Sequence, residues 1–265
     1  MRRYFGFMLF FLIIVSCDKP AVTQDFKIVS LSPAMTEIIF ALGAEKNLVG
    51  VTTYCDFPDS AKKIYKVGDF SNPSLERILS LKPDLVIVSL PEQMRIKNQL
   101  EKFRVNVFTT SPETLEDIYQ EIMKLGRIIK QERPADSIVA YMQSNIKPVN
   151  RGKKKVKVYV EISARPLITI GGESFLNELI EMAGGENIFS DLKKDYPVIS
   201  QEQIIAKNPE VIIILHPEKI DRRIGWNKIT AIRNKKVYED LNQDWLMRPG
   251  PRLVLGFEQL EKVFE

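Results

Sequence analysis

The chain carries few residues able to do covalent chemistry. Its 265 residues include one histidine, His216, and two cysteines, Cys17 and Cys55. A nucleophile activated by an imidazole would have to use His216. That residue follows the apolar run VIIIL and precedes Pro217, which is the setting of a strand end rather than of a base or a ligand. Cys55 is a nucleophile in principle, but it is a lone thiol without a basic neighbour to activate it. The glycine pairs in GGES (171–174) and GGEN (184–187) lack the Lys-Ser/Thr of a phosphate loop, and no Gly-x-Ser-x-Gly elbow occurs. Zinc or manganese sites need several imidazoles with carboxylates, which one histidine cannot supply. The composition therefore points away from catalysis and from a metal site, and leaves an enzyme with a reactive Cys55 as a distant alternative.

The residues whose spacing does carry information are two acids. SLERILSLKPDLVIV begins at Ser74 and SQEQIIAKNPEVIII begins at Ser200, and the two align without a gap. In each, a serine hydroxyl can cap the first orphan N–H groups of a helix. Glu76 and Glu202 then fall in the first turn, where the helix dipole favours an acid. Pro83 and Pro209 end the helices, and LVIV and VIII read as strands buried on both faces. A helix–turn–strand unit present twice predicts two similar lobes, each with a small parallel sheet.

The elements around these units fit that plan. KIVSLSP (27–33) predicts a strand, MTEIIFALGA (35–44) a helix and NLVGVTTY (47–54) a second strand. A helix at 91–103, a strand at 105–110 and a helix at 112–131 complete a βαβαβ order. Pro134 opens a helix over 135–147 that Pro148 ends. Beyond it come strand 155–163, helix 173–184, strand 236–240 and a final helix 251–264. This divides the chain into an N-terminal lobe at 27–132, a linker helix at 133–150 and a C-terminal lobe at 151–265. A single helical joint should flex less than a hinge of extended strands.

A composition of 45% apolar and 27% charged residues marks a folded chain rather than a disordered one. The net charge of +4 includes Arg2 and Arg3, so the body is nearly neutral and offers no nucleic-acid footprint. RGKKKVK (151–157) is the densest basic cluster and reads as a solvated loop leading into a strand. Residues 1–17, MRRYFGFMLFFLIIVSC, have two arginines, an apolar stretch too short for a confident membrane span, and a cysteine. This resembles a bacterial lipoprotein signal, with Ile14-Val15-Ser16-Cys17 as the lipobox and Cys17 as the lipidated residue. Residues 18–26 then form a tether. With Cys17 carrying lipid, Cys55 has no disulfide partner.

The order IVSLSPAMTEIIFALG, YCDFP, SLERILSLKPDLVIV, GGENIF, SQEQIIAKNPEVIII and DWLMRPGPRLVL, across residues 27–262, resembles the cobalamin and iron-siderophore substrate-binding proteins of bacterial ABC importers. The resemblance implies an α/β fold of the class III periplasmic binding protein type, with two doubly wound lobes joined by one helix and ligand held between them. It implies cobalamin or a related corrinoid as ligand, with a ferric siderophore or haem as the alternative, and no covalently bound cofactor. Tyr54, Phe70 and Tyr196 match aromatic cleft positions, while Asp244, Trp245 and Arg248 match a DW-x-x-R motif at the ligand's polar rim. Two further aromatic places of the family hold Ser89 and a residue near Ile168. Asp244 and Arg248 are also spaced to pair with each other, and Trp245 could belong to the core. Glu76 and Glu202 match the acids that meet arginines on the two halves of a two-fold permease. The implied protein is an exported, lipid-anchored monomer facing the periplasm or the cell exterior, with the permease and its ATPase subunits as partners.

Overall fold

A computed structural model describes residues 26–149, 155–218 and 223–265. The signal segment, Cys17, the tether up to residue 25 and much of the basic cluster lie outside the described residues. Strand β1 (Ile28–Ser30) runs into Ser32, whose side chain accepts the Met35 N–H and starts helix α1 (Pro33–Ala41). Strand β2 (Leu48–Val51) follows, then α2 (Leu75–Ser80), β3 (Leu85–Ser89), α3 (Met94–Lys102), β4 (Val107–Thr110) and α4 (Leu115–Ile128). The four strands form one parallel sheet in the order β2-β1-β3-β4. Alternation along β3 sorts the two faces. Leu85 and Ile87 join a core beneath α1 and α4, while Val86 and Val88 pack on the other side with Ile78, Ile96 and Leu100.

Helix α5 (Glu132–Asn145) packs against α4 and carries the chain onward. Pro134 sits in its first turn, where its missing N–H costs no hydrogen bond, so the helix begins earlier than the proline suggested. The second sheet uses β5 (Val156–Ala164), β6 (Leu167–Thr169), then α6 (Phe175–Met182), β7 (Gly185–Asn187), α7 (Gln201–Lys207), β8 (Val211–Ile214), α8 (Thr230–Arg233), β9 (Val237–Tyr238), α9 (Gln243–Met247) and α10 (Leu253–Phe264). Its path is β6-β5-β8-β9, with β7 also on β5. This sheet is mixed: β6 turns back antiparallel on β5, whereas β7, β8 and β9 run parallel.

The repeated unit is repeated in three dimensions as well. Ser74 Oγ accepts the Arg77 N–H at 3.3 Å, and Ser200 Oγ accepts the Gln203 N–H at 3.3 Å. The stop also matches. Lys82 at φ +49° and Asn208 at φ +45° are both left-handed, each just before its proline. The helices thus end on a left-handed residue that aims the chain into a strand, rather than on the proline alone. Strands β3 and β8 both lie inside their sheets, which is why neither carries a polar residue in its apolar run.

A single apolar core joins the two sheets. Ile28, Ile87 and Phe108 from the first sheet and Val158, Val160, Val211 and Ile213 from the second belong to it, with α4, α5, α6 and α10 between them.

Candidate ligand-binding cleft

The carboxyl ends of the first sheet's strands open into a cleft of about 850 Å³ between the lobes. Open α/β sheets place ligands outside these strand ends. One wall carries Tyr54 after β2, Phe70 in the segment before α2, and the turns after β3 and β4. The other carries the start of α6 and Tyr196, while the residues after α9 close onto the Tyr54 side, where Arg248 bonds Asp56 and Glu37.

The SLSPAMTE motif builds the floor beneath Tyr54. Buried Thr36 Oγ1 lies 2.9 Å from Ser30 Oγ and 3.2 Å from the Cys55 thiol, which itself is 3.2 Å from Thr52 Oγ1. Cys55 is therefore a buried group in a hydroxyl cluster, with its neighbour Tyr54 projecting outward at 60% exposure. A large exposed aromatic ring beside a cleft is a surface with unmet contact area.

Gln93 holds the Phe70 wall, and nothing in the sequence pointed to it. Its buried side chain accepts the Ser89 N–H at 2.8 Å and donates to the Leu31 carbonyl at 3.2 Å and the Phe70 carbonyl at 2.8 Å. One amide thereby latches the Phe70 segment to the ends of β1 and β3. On the opposite wall Gly171 and Gly172 let two loops touch. A Cβ on Gly171 would lie 2.0 Å from the Lys194 carbonyl, and one on Gly172 would lie 2.3 Å from the Ser190 carbonyl. Their N–H groups donate to the Asp195 and Leu192 carbonyls, which fixes the loop that presents Tyr196. Tyr196 is 37% exposed. Desolvation of its hydroxyl end raises its pKa, Ser174 opposes this as a hydrogen-bond partner, and the charges of Asp195 and Glu92 add to the rise.

Five of the six residues expected at the ligand line this cleft: Tyr54, Phe70, Tyr196, Asp244 and Arg248. Ser89 lines it as well, and Ile168 does not. Trp245 does not line it either; its carbonyl packs against Gly256, where a Cβ would come within 2.5 Å. Asp244 and Arg248 do pair, at 3.0 Å, but within a larger group. Arg248 also meets Asp56 at 2.7 Å and Glu37 at 2.9 Å, and Arg252 donates to both oxygens of Glu37, through Nε at 2.7 Å. Burial works against the Arg248 charge, yet its bonds to Asp56 and Glu37 and the field of Asp244 outweigh it and hold the guanidinium above its usual range. Asp56 is likewise opposed by burial and held below the ordinary carboxylate range by Arg248. Arg252 stacks on the Phe57 ring at 3.9 Å. The sequence showed Asp244 and Arg248, but Glu37 and Asp56 lie some two hundred positions away and carried no visible signal.

Glu76 and Glu202 are exposed, each the second residue of its helix, and neither lines the cleft. Glu202 is held below the usual carboxylate range, first by its own backbone N–H and then by Ser200. His216 sits away from the cleft. Its Nε2 is 2.8 Å from Glu161, and its Nδ1 accepts the Glu218 N–H at 3.2 Å. Fully buried Glu161 also receives both nitrogens of the Arg223 fork and the Tyr159 hydroxyl at 2.8 Å. Among the described residues no group of three or more His, Cys, Asp or Glu side chains is placed to hold a metal ion.

Two α/β lobes bridged by helices, with an aromatic-walled cleft at the strand ends, are the architecture of an extracytoplasmic substrate-binding protein. The chain belongs to the periplasmic binding protein family, whose model matches residues 28–243. As such it is the substrate-binding member of an ABC importer, working with a permease and an ATPase on a small-molecule ligand. A relative from Bacillus subtilis (strain 168), named Uncharacterized ABC transporter substrate-binding lipoprotein YvrC, is 34% identical over 248 residues, covering 88% of this chain and 78% of its own. A Vitamin B12-binding protein from Vibrio parahaemolyticus serotype O3:K6 (strain RIMD 2210633) is 30% identical, covering 97% and 94%. A crystal structure described as a possible iron-binding (periplasmic solute-binding) protein from Staphylococcus epidermidis ATCC 12228 superposes with a TM-score of 0.76 at 28% identity, covering 89% of this chain and 97% of the other.

Proposed function

We propose that the chain captures cobalamin or a related corrinoid in the cleft and delivers it to its importer, without chemical change to the ligand. The observation that carries this reading is the set of aromatic walls, Tyr54 and Phe70 facing Tyr196 across about 850 Å³. A corrin is a wide apolar plate edged with amide arms. Rigid rings supply contact area to its faces, and hydroxyls, carboxylates and backbone groups supply partners for the arms. Tyr54, Phe70 and Tyr196 form the walls, and Asp244 and Arg248 sit at the polar rim. The vitamin B12-binding relative supports the same ligand class.

Glu76 and Glu202 are the docking groups for the two halves of the permease. Equivalent helix starts in two similar lobes give one acid per lobe, and a helix dipole alone does not require the same position in both. Cys17 carries the lipid anchor, a reading supported by the lipoprotein name of the Bacillus relative. Calorimetric titration with cyanocobalamin, a ferric hydroxamate and haem in turn tests the ligand. Micromolar or tighter cobalamin binding supports the reading, whereas binding of only the ferric chelate or haem overturns it.

A further inference from the structure

We infer that the cleft selects its ligand by charge, and that Glu92, Glu173 and Asp195 make a net-cationic or neutral, amide-rich ligand bind better than an anionic one of the same shape. The inference rests on the corrinoid reading and adds which members of that class are taken. The starting point is the balance of charges around the cleft that Tyr54, Phe70 and Tyr196 enclose. Arg248 lines it but is already engaged by Glu37, Asp56 and Asp244, so it has little field left for an incoming anion. Glu92, Glu173 and Asp195 also line it, and none of the three forms an ion pair among the described residues. Among the described residues that line it, Lys194 is the one cation outside the Arg248 group.

The three acids come from both lobes. Glu92 belongs to the turn after β3, Glu173 precedes α6, and Asp195 lies in the loop held by Gly171 and Gly172. Glu92 and Asp195 both act on the Tyr196 hydroxyl, so their fields overlap from opposite sides of the cleft. Like charges facing across a gap repel, and a positive or proton-donating edge placed between them relieves that repulsion. A ligand bearing carboxylates meets the reverse. Amide arms donate N–H groups to such acids, whereas acid arms do not.

The test uses one corrin with fixed axial ligands and three charges: cyanocobalamin, its derivative with one side-chain amide hydrolysed to a carboxylate, and its derivative with the same amide converted to an aminoethylamide. Calorimetry at low salt should rank amine above neutral above acid, with the end members separated on the order of tenfold. The spread should shrink as salt is raised, because these groups are partly exposed. It should also shrink in a Glu92→Gln, Glu173→Gln, Asp195→Asn variant that keeps the wild-type circular dichroism and still binds cyanocobalamin. The single variant Glu92→Gln should give a smaller change of the same sign. Equal affinities for all three corrins, or tighter binding of the acid, overturn the charge selection while leaving the corrinoid reading intact. Failure of every corrin to bind overturns both.

Discussion

Arg248 Nη1 donates to Glu37 Oε1 at 2.9 Å and so ties the last part of the chain to its first helix across 211 positions. Glu37 is buried and takes a second guanidinium from Arg252. Removing the carboxylate takes away the partner of both Arg252 bonds and leaves the partly buried Arg248 with Asp56 and Asp244. Glu37→Ala should therefore lower unfolding stability by about 3–5 kcal/mol. Arg252→Lys should lose less, because it keeps the charge and gives up only the paired geometry. Urea denaturation of the three proteins checks the ranking, and a Glu37→Ala midpoint equal to wild type would remove this group from the stability argument.

Acid should weaken the fold through Glu161. Burial opposes its charge, but hydrogen bonds from Arg223, His216 and Tyr159 together hold its pKa below the ordinary carboxylate value of 4.5. A folded value below the unfolded one gives stability that is complete above about pH 4.5 and is lost as pH falls through the lowered value. Asp56 acts with the same sign. Stability measured by denaturant between about pH 6 and pH 3 should fall. Glu161→Gln should be less stable near neutrality and should show a shallower decline. A parallel decline in the two proteins would place the acid sensitivity elsewhere.

The aromatic walls should carry much of the ligand contact. Losing one buried ring face should cost about 1–3 kcal/mol of binding, or roughly 5- to 150-fold in affinity. Tyr54→Ala and Phe70→Ala should each weaken calorimetric cobalamin binding by an amount in that range. Both rings are at least partly exposed without ligand, so folding stability should change little. Tight binding that survives the double substitution would put the ligand in another part of the molecule.

The two helix-start acids should separate docking from capture. Glu76→Ala and Glu202→Ala should leave cobalamin affinity unchanged and weaken association with the permease. A desolvated, hydrogen-bonded charge pair costs about 2–5 kcal/mol when one member is removed, so the double variant should nearly abolish uptake. Ser200→Ala offers the contrast: it removes a cap worth about 1 kcal/mol and leaves the acid in place. Normal uptake by the double variant would return both residues to the role of dipole partners.

Local pattern made much of the fold legible. Serine caps, the 3.6-residue apolar stripe and the β-branched runs located α2, β3, α7 and β8, because their causes lie within a few residues of one another. What escaped was set by distant partners. β6 follows a hairpin at Arg165–Pro166, and β7 starts at Gly185, directly after the helix expected over 173–184. Only Gly184, at φ +102°, ends α6. In the cleft, the exposed aromatic residues and the DW-x-x-R acid and base were visible. The groups that hold them, Gln93, Glu37 and the Gly171 contact, were not, since a buried amide or a close backbone approach has no periodic signature. The same holds for Glu161 inside β5, whose partners His216 and Arg223 lie 55 and 62 positions away.

The core that runs unbroken from Ile28 to Phe264 makes the two lobes one notched block rather than a pair of jaws. Swinging them apart would expose packed side chains from α4, α5, α6 and α10 to water, which works against a wide opening. Ligand therefore meets walls already at their working separation. Little conformational freedom is left to surrender at capture, so encounter is governed by diffusion, by the shape of the notch and by the charges that line it. On the docking proposed for Glu76 and Glu202, the permease would have to tell a loaded block from an empty one without the help of a large closing movement.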